Sequence, residues 1–277
     1  MTRDDYDALD AVNWSTLREL ARSPLHYRWA LDHPRRDTDT FRLGRATHTA
    51  ILEPERFLAD YVLWTGGARR GHEWEAFAAA ADERCATVLT SAQYETCLAM
   101  GSAVRGNPLA APYLAGLETE VMVTWTDEAT GLACKGRLDG LLRAPDPIVV
   151  ELKTARTIDA RRFAADMAAL GYHCQLAHYV AGVRAAFGID ARAVLIVVEK
   201  DGPHDVMVAP LDPDGALWTG DNERLALLRR LAECRASDRW PGRYEAEQDL
   251  VLPPWCFPKE GTGALNGPAA WLMGEED

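Results

Sequence analysis

The chain has 277 residues, of which 48% are hydrophobic and 26% charged, and its formal net charge is −12. This composition is typical of a globular protein and excludes a disordered, collagen-like or coiled-coil chain. The longest purely aliphatic run, Val194 to Val198, has five residues, far fewer than the roughly 20 that a membrane span needs. Since the N-terminus is acidic and shows no signal-peptide pattern, we expect a soluble cytoplasmic protein without membrane contact.

The acidic charge is unevenly distributed along the chain. Residues 181–277 contain 10 basic and 17 acidic side chains, whereas residues 121–180 contain seven of each. The net charge therefore does not exclude a polyanionic substrate, but any contact with it must be local. The six cysteines include no C-x-x-C pair, which disfavours a zinc ribbon or a cysteine-held iron–sulfur cluster. We interpret them as buried free thiols in a reducing compartment.

The first 115 residues are predicted to be mainly helical. Asn13 or Ser15 can cap a first helix, and Ser23 and Pro24 can serve as N-cap and first residue of a second helix over Leu25–Leu31. Further along, the pattern predicts helices over Phe41–Leu52, Glu73–Cys85 and Ser91–Arg105, with a mobile basic loop at residues 65–72.

The middle of the chain alternates between strand and helix patterns. The predicted strands are Glu118–Thr126, Leu132–Leu142, Ile148–Thr154, Val194–Glu199 and Asp205–Ala209, and the predicted helices are 160–170, Tyr172–Phe187 and Leu217–Cys234. The first two strands and the last two are expected to form hairpins.

This order predicts an α/β fold with a central mixed β-sheet flanked by helices and a helical N-terminal region. Residues 1–240 are expected to form a single domain, and residues 241–277 an acidic tail rich in Pro and Gly. Within the domain we distinguish a mainly helical part (1–115), a sheet-containing core (116–212) and a C-terminal helix (213–240).

Charged side chains follow one face of the second and third predicted strands. Because side chains alternate along a strand, Lys135, Arg137 and Asp139 share a face, and so do Glu151 and Lys153. Carboxylate oxygens bind Mg²⁺, which acidifies a bound water and neutralises charge on a phosphate. A nearby lysine can orient that water or stabilise the transition state. An isolated E-x-K is usually an ordinary solvent-facing pattern, but here a G-R-x-D-G segment precedes it by twelve residues.

Five segments of the chain resemble a known nuclease family. G-R-L-D-G (Gly136–Gly140) and V-V-E-L-K-T (Val149–Thr154) resemble the core of the PD-(D/E)XK nuclease superfamily. Three further segments are similar to RecE-type, exodeoxyribonuclease VIII-like phage exonucleases: S-P-L-H-Y (Ser23–Tyr27), L-G-R-A-T-H-T-A-I-L-E-P (Leu43–Pro54) and Q-L-A-H-Y (Gln175–Tyr179). The similarity extends over roughly residues 12–210, with every motif in the expected order.

The resemblance implies catalytic roles for the charged residues on the two strands. Asp139 matches the first acidic residue of the superfamily, and Glu151 and Lys153 match its (D/E)XK pair. Leu138 stands where Pro is usual, and Glu151 stands where Asp is common, but neither difference removes a metal-binding oxygen. Only four lysines occur in the chain against 26 arginines, which is a mild sign that arginine would not serve at position 153.

The resemblance also implies a metal site. It assigns Mg²⁺, which Mn²⁺ could replace, to His48, Asp139, Glu151 and the backbone carbonyl of Leu152. By its spacing alone, a histidine on a helix is more often a core or surface residue. Gly44 lies one turn before His48 on the same face and would let a metal or a backbone approach.

Two residues on a later helix complete the candidate site. Gln175 and Tyr179 are four residues apart and share a helical face. The resemblance places Gln175 beside the catalytic residues, in contact with substrate or with Lys153, although helix packing suits Tyr179 equally well. Tyr179, Arg137 and Arg156 are candidate contacts to DNA.

Taken as a whole, the resemblance implies a Mg²⁺-dependent exodeoxyribonuclease of phage or prophage origin. It would digest linear double-stranded DNA from its ends in the 5′→3′ direction and leave 3′ overhangs for a single-strand annealing recombinase. Related enzymes form homo-oligomeric rings around DNA. Two alternatives remain open: a structure-specific or restriction-type endonuclease of the same fold, and a catalytically silent DNA-end-binding protein. The second is disfavoured because such proteins usually lack one of the acidic or lysine positions.

Overall fold

The computed structural model of the protein describes residues 1–33, 38–253 and 256. Most of the predicted tail, residues 254–255 and 257–277, lies outside the described residues, and the division into one domain and a tail stays a prediction. The helices are α1 (Arg3–Ala8), α2 (Trp14–Leu17), α3 (Pro24–Asp32), α4 (Asp39–Leu52), α5 (Pro54–Asp60), α6 (His72–Glu83), α7 (Ser91–Gly106), α8 (Ala111–Leu114), α9 (Ala160–Leu170), α10 (Tyr172–Phe187) and α11 (Trp218–Ser237). The strands are β1 (Tyr61–Trp64), β2 (Thr87–Thr90), β3 (Glu118–Thr126), β4 (Ala133–Leu142), β5 (Ile148–Ala155), β6 (Arg192–Glu199) and β7 (Val206–Pro210).

The main sheet has five strands in the order β3-β4-β5-β6-β7. The pair β5–β6 is parallel and the other three pairs are antiparallel, which confirms the predicted mixed sheet and both predicted hairpins. The connection from β5 to β6 passes through α9 and α10, as a parallel pair requires. A separate parallel pair, β1 with β2, was not predicted, because strands of four residues are too short to show an alternating pattern. No described helix is long and apolar enough to cross a lipid bilayer.

The parallel strands β5 and β6 are packed against buried side chains on both faces of the sheet. Val149 of β5 and Leu195 of β6 are buried in the core that includes Leu176 of α10. Their neighbours Val150 and Ile196 are buried in the opposite core with residues of α4 and α7. Each fully buried aliphatic side chain contributes about 1.5–3 kcal/mol of transfer free energy, so packing on both faces stabilises the strand that carries Glu151 and Lys153.

Several helix starts are confirmed. The Ser23 hydroxyl accepts a hydrogen bond from the His26 N–H, and Pro24 is the first residue of α3. Asn13 rather than Ser15 caps α2, where its side chain accepts from the Thr16 N–H at 2.9 Å. These caps satisfy backbone N–H groups that have no partner within their helices.

The predicted alternation along β4 holds only for part of the strand. Leu138 and Leu141 lie in the same core, although strict alternation would place them on opposite faces. The register of β3 with β4 omits the pair Glu120–Asp139, and Glu120 has a φ of +52°. Next to this irregular part of β3, the side chains of β4 change the face of the sheet to which they point.

The prediction that Lys135 lies on the charged face of β4 is wrong. Lys135 is buried, with 5% of its surface exposed. Its Nζ donates hydrogen bonds to the carbonyls of Tyr6, Asp7 and Leu9, at the C-terminal end of α1. The neighbouring Val12 pairs with β4, since its N–H donates to the Ala133 carbonyl and its carbonyl accepts from the Lys135 N–H. The start of the chain is therefore attached to the strand that carries Asp139.

Because His178 on α10 is buried, we expect the protein to lose stability in mild acid. The side chain is fully buried and its ring lies 4.7 Å from the Trp125 ring. Burial, with a smaller contribution from the Arg224 cation, lowers the pKa of His178 to about 4. The unfolded chain binds a proton with the usual pKa near 6.5, so stability is full above about pH 6.5 and falls as the pH decreases toward about 4.

Between pH 7 and pH 5 this histidine is expected to lower the free energy of unfolding by about 2 kcal/mol. Urea unfolding of the wild type and of His178→Asn at both pH values measures the effect, because the variant should lose about 2 kcal/mol less. The comparison uses only the change with pH, so a lower starting stability of the variant does not matter. Equal losses in the two proteins would contradict the assignment.

Candidate active site

The candidate site lies where two strands of the sheet separate. The ladder between β4 and β5 ends at the pair Gly140–Val150. Asp139 directly precedes Gly140 on β4, and Glu151 directly follows Val150 on β5. Beyond this point the Leu152 N–H donates to Asp139 Oδ2 at 2.8 Å. A carboxylate therefore replaces a backbone carbonyl as partner of β5, which fixes Asp139 in the gap between the strands.

Glu151 is the centre of a hydrogen-bonded group. Its Oε1 accepts from Lys153 Nζ and from Gln175 Nε2, the latter at 2.8 Å. Gln175 Nε2 also lies 3.0 Å from the Tyr179 hydroxyl, and Lys153 Nζ lies 5.0 Å from the centre of the Tyr172 ring. The structure thus brings together Glu151, Lys153 and Gln175, three of the four residues predicted to be catalytic, the fourth being Asp139.

His48 reaches the same gap from the helical layer. Its Nδ1 lies 3.4 Å from Asp139 Oδ1, and both side chains are partly exposed. A Cβ built on Gly44, one turn earlier on α4, would meet no atom within 4 Å, so the helix face before His48 is open. The predicted neighbours Asp139 and His48 are therefore in contact beside a gap that solvent can reach.

The electrostatics of the four ionisable groups are mutually dependent. Burial acts to raise the pKa of Asp139, but His48 and Lys153 outweigh it and lower that pKa. Burial raises the pKa of Glu151 to about 7, and the Asp139 carboxylate adds to the effect. For His48 and Lys153, burial acts to lower the pKa, but the carboxylates outweigh it and raise both values. Among these four groups, Glu151 is therefore the one whose ionised form a further cation would stabilise most.

The chemical types of the donor atoms suit a divalent metal ion. Glu151 is 2% exposed, and its Oε2 is buried without a hydrogen-bond partner. A buried carboxylate oxygen without a partner is unfavourable, and a cation would satisfy it. Two carboxylates and an imidazole suit Mg²⁺ or Mn²⁺. The donor atoms of His48, Asp139 and Glu151 do not all lie within 4.8 Å of one another, so binding requires side-chain movement that draws them together.

Comparison with known protein families assigns the chain to one family. Residues 13–249 match the family described as "PDDEXK-like domain of unknown function (DUF3799)". The chain belongs to this family. Its membership places the protein in the PD-(D/E)XK superfamily, whose members generally use divalent metal ions, and supports a nuclease. The narrower resemblance to the RecE-type exonucleases is not part of this match.

The fold of this PDDEXK-like protein is similar to a solved structure. A protein from Eubacterium rectale, described as "Putative exonuclease", superimposes with a TM-score of 0.61 over 91% of this chain and 95% of its own, at 14% sequence identity. At that identity the likeness shows the fold alone. The structure of SSO0001 gives a TM-score of only 0.32 at 19% identity, over 83% of this chain and 87% of its own, which does not establish a shared fold. No curated protein matches the sequence.

The candidate DNA contacts of the PDDEXK-like chain differ in exposure. Arg156 is exposed just after β5. Arg137 is partly exposed and pairs with Glu120 Oε2 at 3.0 Å. Tyr179 is 9% exposed, and its ring lies against Gly136, where an added Cβ would be 3.0 Å from it. The structure therefore gives Tyr179 a packing position, and contact with DNA stays a prediction for all three residues.

Other details of the PDDEXK-like site were missed by the sequence analysis. The Tyr172 ring beside Lys153 precedes Gln175 by three residues on α10, and this helical spacing could have indicated it. The partner of Arg137, Glu120, carries no such signal, because its backbone conformation is set by tertiary structure. The Leu152 N–H was not predicted to bind Asp139, and the Leu152 carbonyl stays a predicted metal ligand. Of the six free cysteines, Cys97, Cys134, Cys174 and Cys234 are buried as expected, but Cys85 is exposed and Cys256 is partly exposed.

Proposed function

We propose that the protein is a Mg²⁺-dependent exodeoxyribonuclease that digests linear double-stranded DNA 5′→3′ and leaves 3′ single-stranded overhangs. The observation that supports nuclease activity most strongly is the buried Glu151 carboxylate, whose Oε2 has no partner beside Lys153 and close to the gap that holds Asp139. The direction of digestion and the preference for ends rest on the sequence resemblance to the RecE-type exonucleases.

In this proposal Asp139 and Glu151 hold the ion, with His48 and the Leu152 carbonyl as further ligands. A bound Mg²⁺ supplies an acidified water and neutralises charge on the scissile phosphate. The Asp139 side chain is fixed by the Leu152 N–H, so its free oxygen faces His48 and the gap. This fixed carboxylate provides a ligand whose position is set before the substrate arrives.

Lys153 and Gln175 would act on the substrate side of the cluster. The Lys153 ammonium is held between Glu151 and the Tyr172 ring, and in this proposal its preorganised positive charge stabilises the charge that develops on the phosphate oxygens. Gln175 holds Glu151 Oε1, which leaves Oε2 as the free oxygen. Arg137 and Arg156 are proposed to contact the DNA backbone, since the acidic chain requires its contacts with DNA to be local.

The proposed partners are double-stranded DNA ends, a single-strand annealing recombinase and further copies of this chain in a ring. These partners rest on the resemblance alone. A ring around the duplex would let the enzyme cleave many nucleotides before it dissociates.

Linear duplex labelled at the 5′ or the 3′ end tests the proposal directly. With Mg²⁺ we expect a 5′ label to be released at once as a short product, whereas a 3′-labelled strand should shorten gradually and keep its label. Closed-circular DNA should stay intact, and Asp139→Asn serves as the inactive control. Cleavage of the circular DNA would identify an endonuclease, and binding of ends without cleavage in Mg²⁺ or Mn²⁺ would identify a silent end-binding protein.

A further inference from the structure

Three potential metal ligands meet at the junction of α10 and α11, outside the candidate active site. His173 and Cys174 lie in the first turn of α10, and Glu223 lies in the first part of α11. Cys174 is one of the six cysteines that were interpreted from the sequence as buried free thiols. One donor atom from each side chain lies within 4.8 Å of the other two, which among the described residues is the only such group of His, Cys, Asp and Glu.

The distances between the donors match those around a tetrahedral ion. His173 Nε2 lies 3.3 Å from Glu223 Oε2 and 3.4 Å from Cys174 Sγ, and Cys174 Sγ lies 3.1 Å from the same Glu223 oxygen. The usual bond lengths of tetrahedral Zn²⁺ place nitrogen, sulfur and oxygen ligands about 3.3–3.6 Å apart. The three side chains would need to separate by only a few tenths of an ångström.

The backbone at this junction keeps the donors close together. Gly220 lies one turn before Glu223 on α11, and an added Cβ there would be 2.5 Å from the His173 carbonyl oxygen. The close approach of the two helices brings Glu223 to the start of α10. His173 is 6% exposed and its Nδ1 has no hydrogen-bond partner, so the polar contacts of the ring are made through Nε2.

Solvent can reach the cluster from one side. A cavity of about 380 Å³ is lined by Cys174 and Glu223, together with residues of α2 and α9, and the Glu223 side chain is 55% exposed. An ion can therefore enter, and a water molecule can occupy a fourth position. A set of three protein ligands with one open position is common for zinc.

We propose that His173, Cys174 and Glu223 form a second metal site, specific for a transition metal ion such as Zn²⁺, that joins α10 to α11. The neutral imidazole, the thiolate and the carboxylate carry two negative charges, which a divalent ion balances. When the ion binds, the S–Zn bond replaces the S–H bond and the proton leaves to solvent. Because Gln175 follows Cys174 directly, the ion would also fix the start of the helix that positions Gln175 against Glu151.

The state of the free thiol is consistent with this exchange. Burial, together with the hydrogen bond to the Glu223 carboxylate and its charge, raises the pKa of Cys174. Without a cation the thiol therefore keeps its proton and donates it to Glu223 at 3.1 Å. A soft cation favours thiolate over carboxylate or water, whereas Mg²⁺ prefers the oxygen ligands of the other site.

Titration of the metal-free full-length protein with Co²⁺, used as a spectroscopic substitute for Zn²⁺, tests the proposal. We expect one equivalent to produce a thiolate-to-cobalt charge-transfer absorption, which Zn²⁺ then removes by competition. The absorption should disappear in Cys174→Ser and persist in Cys85→Ser, a matched control that removes an exposed thiol outside the cluster. Glu223→Gln, at a half-exposed position, should fold normally and bind Co²⁺ about tenfold or more weakly.

The same titration in Asp139→Asn separates this site from the proposed catalytic one. The cobalt–thiolate absorption should be unchanged there, because the predicted Mg²⁺ site contains no sulfur ligand. Absence of the absorption in the wild type, its survival in Cys174→Ser, or an unchanged affinity in Glu223→Gln would each overturn the proposal. None of these outcomes depends on whether the protein cleaves DNA.

Discussion

Asp139→Asn is expected to slow DNA cleavage by about a thousandfold or more, because a bound metal supplies several kcal/mol of transition-state stabilisation. Asn has the same shape, and its side-chain oxygen can still accept the Leu152 N–H that holds Asp139 in the gap. The variant should therefore fold normally. What it lacks is the negative charge that attracts the ion and faces His48.

Two measurements distinguish this effect from general damage. Calorimetric titration with Mn²⁺ should show weaker binding to Asp139→Asn than to the wild type. The matched control is Asp146→Asn, which removes an exposed carboxylate whose closest ionic contact, with Arg192, is 3.9 Å long and should leave cleavage unchanged. If Asp139→Asn kept activity within tenfold of the wild type, Asp139 would not be a metal ligand for catalysis.

Lys153→Met is expected to lower the cleavage rate by about 10²–10³-fold without loss of metal binding, since the removal of one preorganised charge from a transition state has this size of effect. Met fills a similar volume but cannot place a positive charge between Glu151 and the Tyr172 ring. Without the ammonium, Glu151 keeps Gln175 as a partner, and its affinity for a divalent ion should stay equal or increase.

Lys153→Arg should not restore the rate, because the planar guanidinium is larger and spreads its charge over three nitrogens. Lys200→Met is the matched control, as Lys200 is exposed after β6 and should be replaceable without effect. Loss of Mn²⁺ binding in Lys153→Met together with loss of activity would mean that Lys153 only shapes the metal site. Full activity in the variant would remove Lys153 from the mechanism.

The strands and the pairs of site residues within one element could be predicted because they follow from local patterns, whereas the approach of His48 to Asp139 and of Gln175 to Glu151 was expected only from the family resemblance. The alternation in β5 placed Glu151 and Lys153 on one face, and their side chains do meet. The spacing of Gln175 and Tyr179 put both on one side of α10, where they are in contact. In each case the relevant geometry depends on neighbours within a few residues along one element.

The features that could not be predicted depend on parts of the chain that are distant in sequence. Lys135 has the pattern of a surface residue, and only the carbonyls at the end of α1 explain its burial. The exchange of faces in β4 coincides with the unusual backbone of Glu120 on the neighbouring strand. His173 and Cys174 form a candidate metal site only together with Glu223, which lies 49 residues from Cys174 in the sequence. Sequence periodicity contains no information about such pairs.

The pairing of Val12 with β4 has a consequence for how the protein folds. Leu9 and Lys135, which hydrogen-bond beside it, are 126 residues apart in the sequence. Closing a loop of this length carries a large entropic cost before any contact offsets it, and contacts between distant residues slow folding. The strand that carries Asp139 is therefore completed by a contact between residues far apart in the sequence, which we expect to form after the local hairpins. During synthesis, the pairing of Val12 with β4 can form only after more than a hundred further residues have been added.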